Sequence, residues 1–594
     1  MSSAQYSKPA AGGGTTAGLA SGIDALAQAE HAGFRASADR APDVPSVIPL
    51  DIEDIAATAT ATTDPAPERL YMTGWRLYVL TFALCLSLFL STLETTIVST
   101  SLISITDALG GFERRDWVVT SYLLTYTGFL VIYAKFSDVL GRKPMILLAV
   151  GLFTVFSIVC GSISNLLQLI IFRAFQGMGA SGIYAMVTVM NPEMVPSSQW
   201  GTYVAITSVV FVLSSVLGPV LGGVINSGHD HSSWRWVFLL NAPTGAIATA
   251  LIAFILPAHF PYKPTAATAA SRWHDKFTFK SLARLDLLGA FLLLASSILL
   301  VFGFEEAGAR YPWGSAAVLS TLILGAVLLI AFVFWEKIVA HERFAQDPVF
   351  PLRLIKDRRF VGMAIVALLT GPPFMTVLIN LPQRFQAVSG STPFQAGIHL
   401  LPLLLSSPLA TTVAGQLVSR WQVPPFYMLL AGASLQVLGL GLASSVGVGE
   451  AGDKMMYGFE VIMGFSFGMT LIMLIIYVPF VVERADMAVG ISSITQIRVL
   501  GGTIGLAISA TVLNHALSAR LPSILDPEQI KAISDSALFI GTLPEATRDA
   551  VRLAYSEAFN EQFRVMLYFA AAVWSATLLM WERRMRTARD IEGY

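Results

Sequence analysis

Between about residue 77 and residue 581 the chain alternates apolar runs with short polar turns. Each run is about 20 residues long, the length at which a helix crosses a hydrocarbon core of roughly 30 Å. Backbone amides find no water partners there, so the runs have to close their own hydrogen bonds as helices. Composition points the same way. The 594 residues are 54% hydrophobic and 13% charged, whereas a soluble domain has roughly a quarter charged. The expected fold is all-α and integral to a membrane, with about 14 transmembrane helices.

Several function classes fall away. A net charge of −1 gives no case for a nucleic-acid partner. Cys85 and Cys160 both lie inside apolar runs, so neither a disulfide framework nor a metal site is expected, and no cofactor is implied. Gly177-Met-Gly-Ala-Ser-Gly182 fits a dinucleotide fingerprint but lies within a helical run that begins near Leu166. That fingerprint needs a strand before it; small residues at this spacing instead let helices approach in lipid. No nucleophile–base pair or phosphate loop stands out, so an enzyme is not expected.

The ends differ from the middle. Residues 1–70 are rich in Ala, Gly, Ser and Thr, with Pro42, Pro45, Pro65 and Pro67, and read as a disordered cytoplasmic tail. No basic start with a short apolar core follows Met1, so the first span is expected to direct insertion. The expected order is then a six-helix lobe over 71–260, a linker with two additional spans over 261–345, and a second six-helix lobe over 346–585. The second lobe carries an external loop at 514–564, and 586–594 form a cytoplasmic tail.

Basic residues set the orientation. Arg142 and Lys143, then Lys263, Arg272, Lys276, Lys280 and Arg284, then Lys337, Arg343, Arg353, Lys356, Arg358 and Arg359 fall in one set of turns. Short loops on the other side hold few: Arg114, Arg115, Arg235, Arg310 and Lys454. Short cytoplasmic loops collect Lys and Arg, so both termini are expected inside. A weak repeat supports the two lobes: Ala134, Pro144 and Gly151 return as Gly415, Pro425 and Gly432 at the same spacing.

Ala134-Lys-Phe-Ser-Asp-Val-Leu-Gly-Arg-Lys143 is a tight charged turn between two spans. It resembles the loop signature of the major facilitator superfamily. The resemblance widens with Leu93-Glu-Thr-Thr-Ile-Val98, Arg173-Ala-Phe-Gln-Gly-Met-Gly179, Gly218-Pro-Val-Leu-Gly-Gly223, Trp234-Arg-Trp-Val-Phe-Leu-Leu-Asn-Ala-Pro243 and Leu381-Pro-Gln-Arg-Phe-Gln386. Together these are similar to the fungal fourteen-span drug:proton antiporter branch, over roughly residues 75–585. The resemblance implies two six-helix lobes with two extra spans inserted between them, and rocking between two open faces.

Candidate site residues follow. Glu94 is a carboxylate at membrane depth, where a charge faces a cavity or a partner. It is read either as the proton carrier or as a permanently protonated helix tie. Arg173 cannot shed its charge; the resemblance has it control that proton, and the alternative is a structural tie. Asp138, Gly141, Arg142, Lys143 and Glu193 form the expected gating loop, with Asp138 accepting from Arg142 or capping the next helix. The resemblance makes Gly218, Pro219, Gly222 and Gly223 an antiporter motif that bends span five; an ordinary packing seam is the plainer reading. Gln176, Asn380, Gln436, Gln496 and Arg498 are the candidates for a substrate cavity.

The reading is an exporter of amphipathic small molecules, drugs or secondary metabolites, in exchange for protons. A monomer in a lipid bilayer is expected, in the plasma membrane or else a vacuolar or vesicle membrane. An importer of siderophores or other solutes, and a non-transporting receptor on the same scaffold, are the alternatives.

Overall fold

The computed structural model describes residues 71–109, 116–196, 199–226, 233–261, 284–307, 311–340, 346–391, 393–483, 486–535 and 537–587. The tail of residues 1–70, and Arg114, Arg115, Lys263, Arg272, Lys276, Lys280, Arg310, Arg343 and Arg589, lie outside the described residues. Among the described residues the secondary structure is helical apart from two isolated bridges, Leu285 with Asp347 and Ala307 with Tyr311.

The first lobe contains α1 (Trp75–Leu109), α2 (Asp116–Gly128), α3 (Leu130–Leu140), α4 (Arg142–Ser162), α5 (Leu166–Met194), α6 (Trp200–Asn226), α7 (Arg235–Leu239) and α8 (Asn241–Ile255). Next come the inserted pair, α9 (Leu287–Glu306) and α10 (Ala316–Val339). The second lobe contains α11 (Arg353–Lys356), α12 (Arg358–Ser389), α13 (Pro393–His399), α14 (Leu401–Ser419), α15 (Pro425–Ala443), α16 (Glu450–Val481), α17 (Met487–Arg520), α18 (Pro527–Asp535) and α19 (Glu545–Thr577). Among the described residues 13 helices are long and apolar enough to cross a bilayer, or 14 when α2 and α3 count as one span.

Side chains at the ends fix where several helices begin. Asn165, Asp286 and Asp357 accept from backbone N–H groups of Leu167, Gly289 and Arg359, each at 2.8 Å. They satisfy donors that a first turn leaves free. Halves α2 and α3 meet at a 44° bend. Gly128 sits at that break, and a Cβ there would lie 2.7 Å from Leu294 of α9. The bend therefore falls where an inserted helix presses on a residue without a side chain.

Helices α4 and α5, α1 and α6, and α2 and α5 pair within the first lobe; α12 with α17, α14 with α16, and α15 with α16 and α19 pair within the second. The lobes meet through α6 against α14 and through α3, the half of the bent span nearer the 134–143 hairpin, against α17. The inserted pair lies over the α2–α17 seam through α9, while α10 turns Ile323, Ile330 and Phe334 outward.

Apolar packing is uneven along the helices. At the hairpin end one cluster crosses both lobes, joining Met190, Val195, Trp200 and Tyr203 to Ile472, Ile476, Tyr477 and Phe480. At the opposite end the lobes have separate clusters: Ile97, Val98, Cys160 and Trp234 in one, and Leu381, Phe385, Leu440 and Met463 in the other. The two lobes are thus sealed together at the hairpin end.

The 514–564 segment differs from the expected loop. Helix α17 continues to Arg520, short helical turns and α18 follow, and α19 begins at Glu545 and runs unbroken for 33 residues. Charges such as Arg548, Asp549, Glu557 and Glu561 kept its first half from reading as a span. Its buried face of Val551, Ala554, Ala558 and Phe559 recurs with helical spacing.

Candidate functional site

Glu94 on α1, Arg173 and Gln176 on α5, and Asn241 at the start of α8 converge inside the first lobe. Arg173 Nη1 donates to Glu94 Oε1 at 2.7 Å, and both side chains are wholly buried. Asn241 Nδ2 donates to the other carboxylate oxygen at 2.6 Å. Arg173 and Gln176, three residues apart, share a helix face. Arg173 Nη1 also reaches Gln176 Oε1 at 2.9 Å, Nε reaches the Val118 carbonyl at 3.0 Å, and Gln176 Nε2 donates to Ser157 Oγ at 2.7 Å. The Tyr122 ring lies 4.3 Å from the guanidinium, and its hydroxyl donates to the Ser91 carbonyl at 2.8 Å.

This arrangement suits either charge state of the acid. Ionised, Glu94 has two strong donors. Protonated, it can hand its hydrogen to Asn241, because an amide turned over presents its oxygen instead of its NH2. Arg173 keeps Val118, Gln176 and the Tyr122 ring in both cases. The acid can therefore take or lose a proton without losing its own partners, while protonation leaves the Arg173 guanidinium with neutral acceptors only.

A second cluster closes the 134–143 hairpin. Gly141 adopts φ 97°, where glycine is favoured, and turns the chain from α3 into α4 in one residue. Arg142 then forks onto Glu193 of α5 through Nε at 3.0 Å and Nη2 at 2.7 Å. Its Nη1 donates to Asp138 at 2.6 Å. Of the two roles expected for Asp138, it accepts from Arg142 and does not cap α4. Lys143 leaves this group. Its Nζ donates to the carbonyls of Ala253 and Leu256 at 2.6 and 2.7 Å, closing the end of α8. Adjacent helical residues point about 100° apart, so Arg142 and Lys143 serve different neighbours.

Gly218 of α6 faces α1, where a Cβ would overlap Thr96 Oγ1. Thr96 Oγ1 in turn donates to the Ser214 carbonyl at 3.2 Å. The two helices thus meet closely two residues past Glu94. Pro219, Gly222 and Gly223 follow within α6.

The five cavity candidates do not share one space. Gln176 is sealed in the cluster above. Asn380 donates to Ser509 Oγ at 2.7 Å, tying α12 to α17 inside the second lobe. Gln436 is fully buried on α15. Gln496 donates to Ser297 of α9 at 2.9 Å, whereas Arg498, two residues on, donates to the Tyr184 hydroxyl of α5 at 3.3 Å. Two residues along a helix turn about 200°, which sends Gln496 and Arg498 to opposite sides of α17. Of the five, Arg498 alone reaches across from one lobe to the other.

A family model described as the Major Facilitator Superfamily matches residues 84–309. The MFS-type transporter FPY5 of Fusarium mangiferae is 48% identical over 549 residues, covering 91% of this chain and 90% of that protein. The chain belongs to the major facilitator superfamily. The MFS thioclapurine efflux transporter tcpA of Claviceps purpurea (strain 20.1) is 29% identical over 78% of this chain and 82% of its own. Among solved structures, the proton:xylose symporter XylE bound to 6-bromo-6-deoxy-D-glucose aligns with a TM-score of 0.51 at 10% identity. That alignment covers 87% of this chain and 98% of the symporter, and shows the shared fold.

As a member of the major facilitator superfamily the chain is a multi-pass membrane transporter. Its polar framework includes residues that sequence reasoning passed over. Asn241 lies in the Trp234–Pro243 motif but is uncharged, and Ser157 is one hydroxyl in an apolar run; only the fold brings them to Glu94 and Gln176. Glu336 and Glu460 are fully buried acids in α10 and α16, and Arg384 is a buried base in α12. Each stood within an apolar run, a signal that a count of charges inside spans would have caught. Tyr126, Tyr184 and Phe374 carry no such mark, because an aromatic ring in a membrane helix is ordinary.

Near the hairpin end of α12, outside the spans, the Arg359 side chain hydrogen-bonded to Asp357 holds that carboxyl below the usual carboxylate range. Arg359 also pairs with Glu582 at 2.7 Å, fastening the start of α12 to the chain beyond α19.

Proposed function

We propose that this transporter exports amphipathic small molecules, drugs or secondary metabolites, in exchange for protons. The observation that carries the reading is the wholly buried Glu94–Arg173 pair, held at 2.7 Å between α1 and α5. A carboxylate at that depth would be costly without a role or a partner, and Asn241 gives it a way to hold a proton. Relatives whose names describe efflux support the outward direction.

In this reading the hairpin end faces the cytoplasm, and the sealed cluster there makes the described state the one closed to the cytoplasm. Arg142, Asp138 and Glu193, all on first-lobe helices, fix the hairpin that presents α3 to α17 and so favour that state. Protonation of Glu94 weakens its tie to Arg173 and lets α1 and α5 shift relative to α8, so that the lobes rock about the α6–α14 and α3–α17 contacts. The close α1–α6 contact at Gly218 passes that movement to α6.

The test uses proteoliposomes with an internal pH dye. Adding amphipathic metabolites on the cytoplasmic face of wild type should move protons in the direction opposite to the compound. Compound movement with no proton movement would refute antiport, and co-directional movement would favour the importer.

A further inference from the structure

Several of the arginines described above have a carboxylate, while Arg235 and Arg358, at helix starts, donate to backbone carbonyls. Arg173 has Glu94, Arg142 has Glu193 and Asp138, and Arg353 has Asp486 at 2.7 Å. Arg384 lacks one but is sealed inside the second lobe, bonded to the Val446 carbonyl at 3.2 Å and Ser556 at 3.4 Å. Arg498 is different. It is half-buried, and among the described residues no carboxylate lies within 4 Å of it. Its neighbours are the Tyr184 hydroxyl at 3.3 Å and the Phe374 ring at 5.6 Å.

Depth and setting make this informative. Arg498 stands about 17 Å along α17 from its first residue, near the middle of a span. Tyr184 belongs to the first lobe and Phe374 to the second, so the guanidinium lies where the lobes face each other. The first-lobe side carries a chain of ring contacts: Tyr184 lies tilted at 6.0 Å from Tyr126 and edge-on at 5.8 Å from Phe211, and Tyr126 stacks on Tyr122 at 6.0 Å. An arginine cannot deprotonate to escape an apolar setting. Its planar fork fits a carboxylate in two parallel hydrogen bonds.

We infer that the cargo is an amphipathic organic acid whose anionic group seats on Arg498 while its apolar body lies against Tyr126, Tyr184, Phe211 and Phe374. This deepens the export reading and rests on it only for the direction of movement. The neutral Tyr184 hydroxyl holds the guanidinium in place between cargoes, and the anion supplies the charge that the lining lacks.

The test is equilibrium binding to the full chain in nanodiscs, with empty nanodiscs subtracted. The probes are 11-(dansylamino)undecanoic acid, its methyl ester, and the matched trimethylammonium compound. Wild type should bind the acid roughly tenfold more tightly than the ester, as a charge-assisted fork implies, and the cation no better than the ester. Arg498→Gln should bring acid and ester to similar affinity, and Arg498→Lys should keep part of the preference. Equal binding of acid and ester by wild type, or cation binding as tight as acid binding, would overturn the inference without need of any variant. A preference unchanged in Arg498→Gln would also overturn it. If wild type prefers the acid yet moves no protons during transport, the antiport reading fails and this one stands.

Discussion

Asn241 Nδ2 lies 2.6 Å from Glu94 Oε2, on the carboxylate oxygen that Arg173 leaves open. Span six thereby touches the same acid as spans one and four. An amide is suited to that place because it can donate to the anion or accept from the acid. Asn241→Val removes both abilities while keeping the span apolar. Gradient-driven transport by that variant should fall about tenfold, the effect of losing one hydrogen bond to a charged group, while exchange without a gradient persists. Undiminished gradient-driven transport would show that Asn241 plays no part in proton handling.

The hairpin lock gives a prediction about stability. Arg142→Ala leaves the buried Glu193, and the more exposed Asp138, without their base. Such a break costs about 3–5 kcal/mol, and thermal unfolding in detergent should show a clear fall. Glu193→Gln should cost less, because Asp138 still faces Arg142 and an amide oxygen can still accept. Equal stability of Arg142→Ala and wild type would remove the lock from the account.

Gly218 tests the α1–α6 seam. Gly218→Ala places a methyl group against Thr96, and overpacking of this kind costs about 1–3 kcal/mol. Pairing it with Thr96→Gly clears the hydroxyl and the Thr96 Cβ that would lie 2.6 Å from the new methyl, and should restore part of both stability and transport. A double variant no better than Gly218→Ala would mean that the glycine is needed for some other reason.

Asp357 supplies a dependence on pH. Its folded carboxyl is held low, chiefly by hydrogen bonding from Arg359. The unfolded chain therefore binds the proton at higher pH, near the ordinary value of about 3.9. The contribution is complete above that value and disappears as pH falls through the folded one. Unfolding of wild type should grow easier on acidification below about pH 4, and Asp357→Asn should flatten that part of the profile. The group is partly exposed, so salt should reduce the effect.

Much of this was legible in the sequence, for physical reasons. Membrane helices have to be apolar and long, so spans show in hydropathy, and charges such as Glu94, Arg142 and Arg173 stand out because they are costly there. Their partners were harder to see. Glu193 showed itself as an acid at a span end, whereas Asn241 and Ser157 look like any polar residue. Helix phase was also hidden: Gln496 and Arg498, close in sequence, were grouped in one cavity, and the structure turns them to opposite sides of α17. The start of α19 at Glu545 went unseen because its first turns are amphipathic rather than apolar.

The central claim is that Glu94 carries the exchanged proton. It is tested most directly in proteoliposomes by comparing gradient-driven accumulation with gradient-free exchange of one amphipathic acid, in wild type and Glu94→Gln. The amide is matched in shape and can still hydrogen-bond Asn241 and Arg173, so the variant should fold. The account predicts exchange at wild-type levels with gradient-driven accumulation lost. Accumulation in Glu94→Gln that still follows the imposed pH gradient would contradict it.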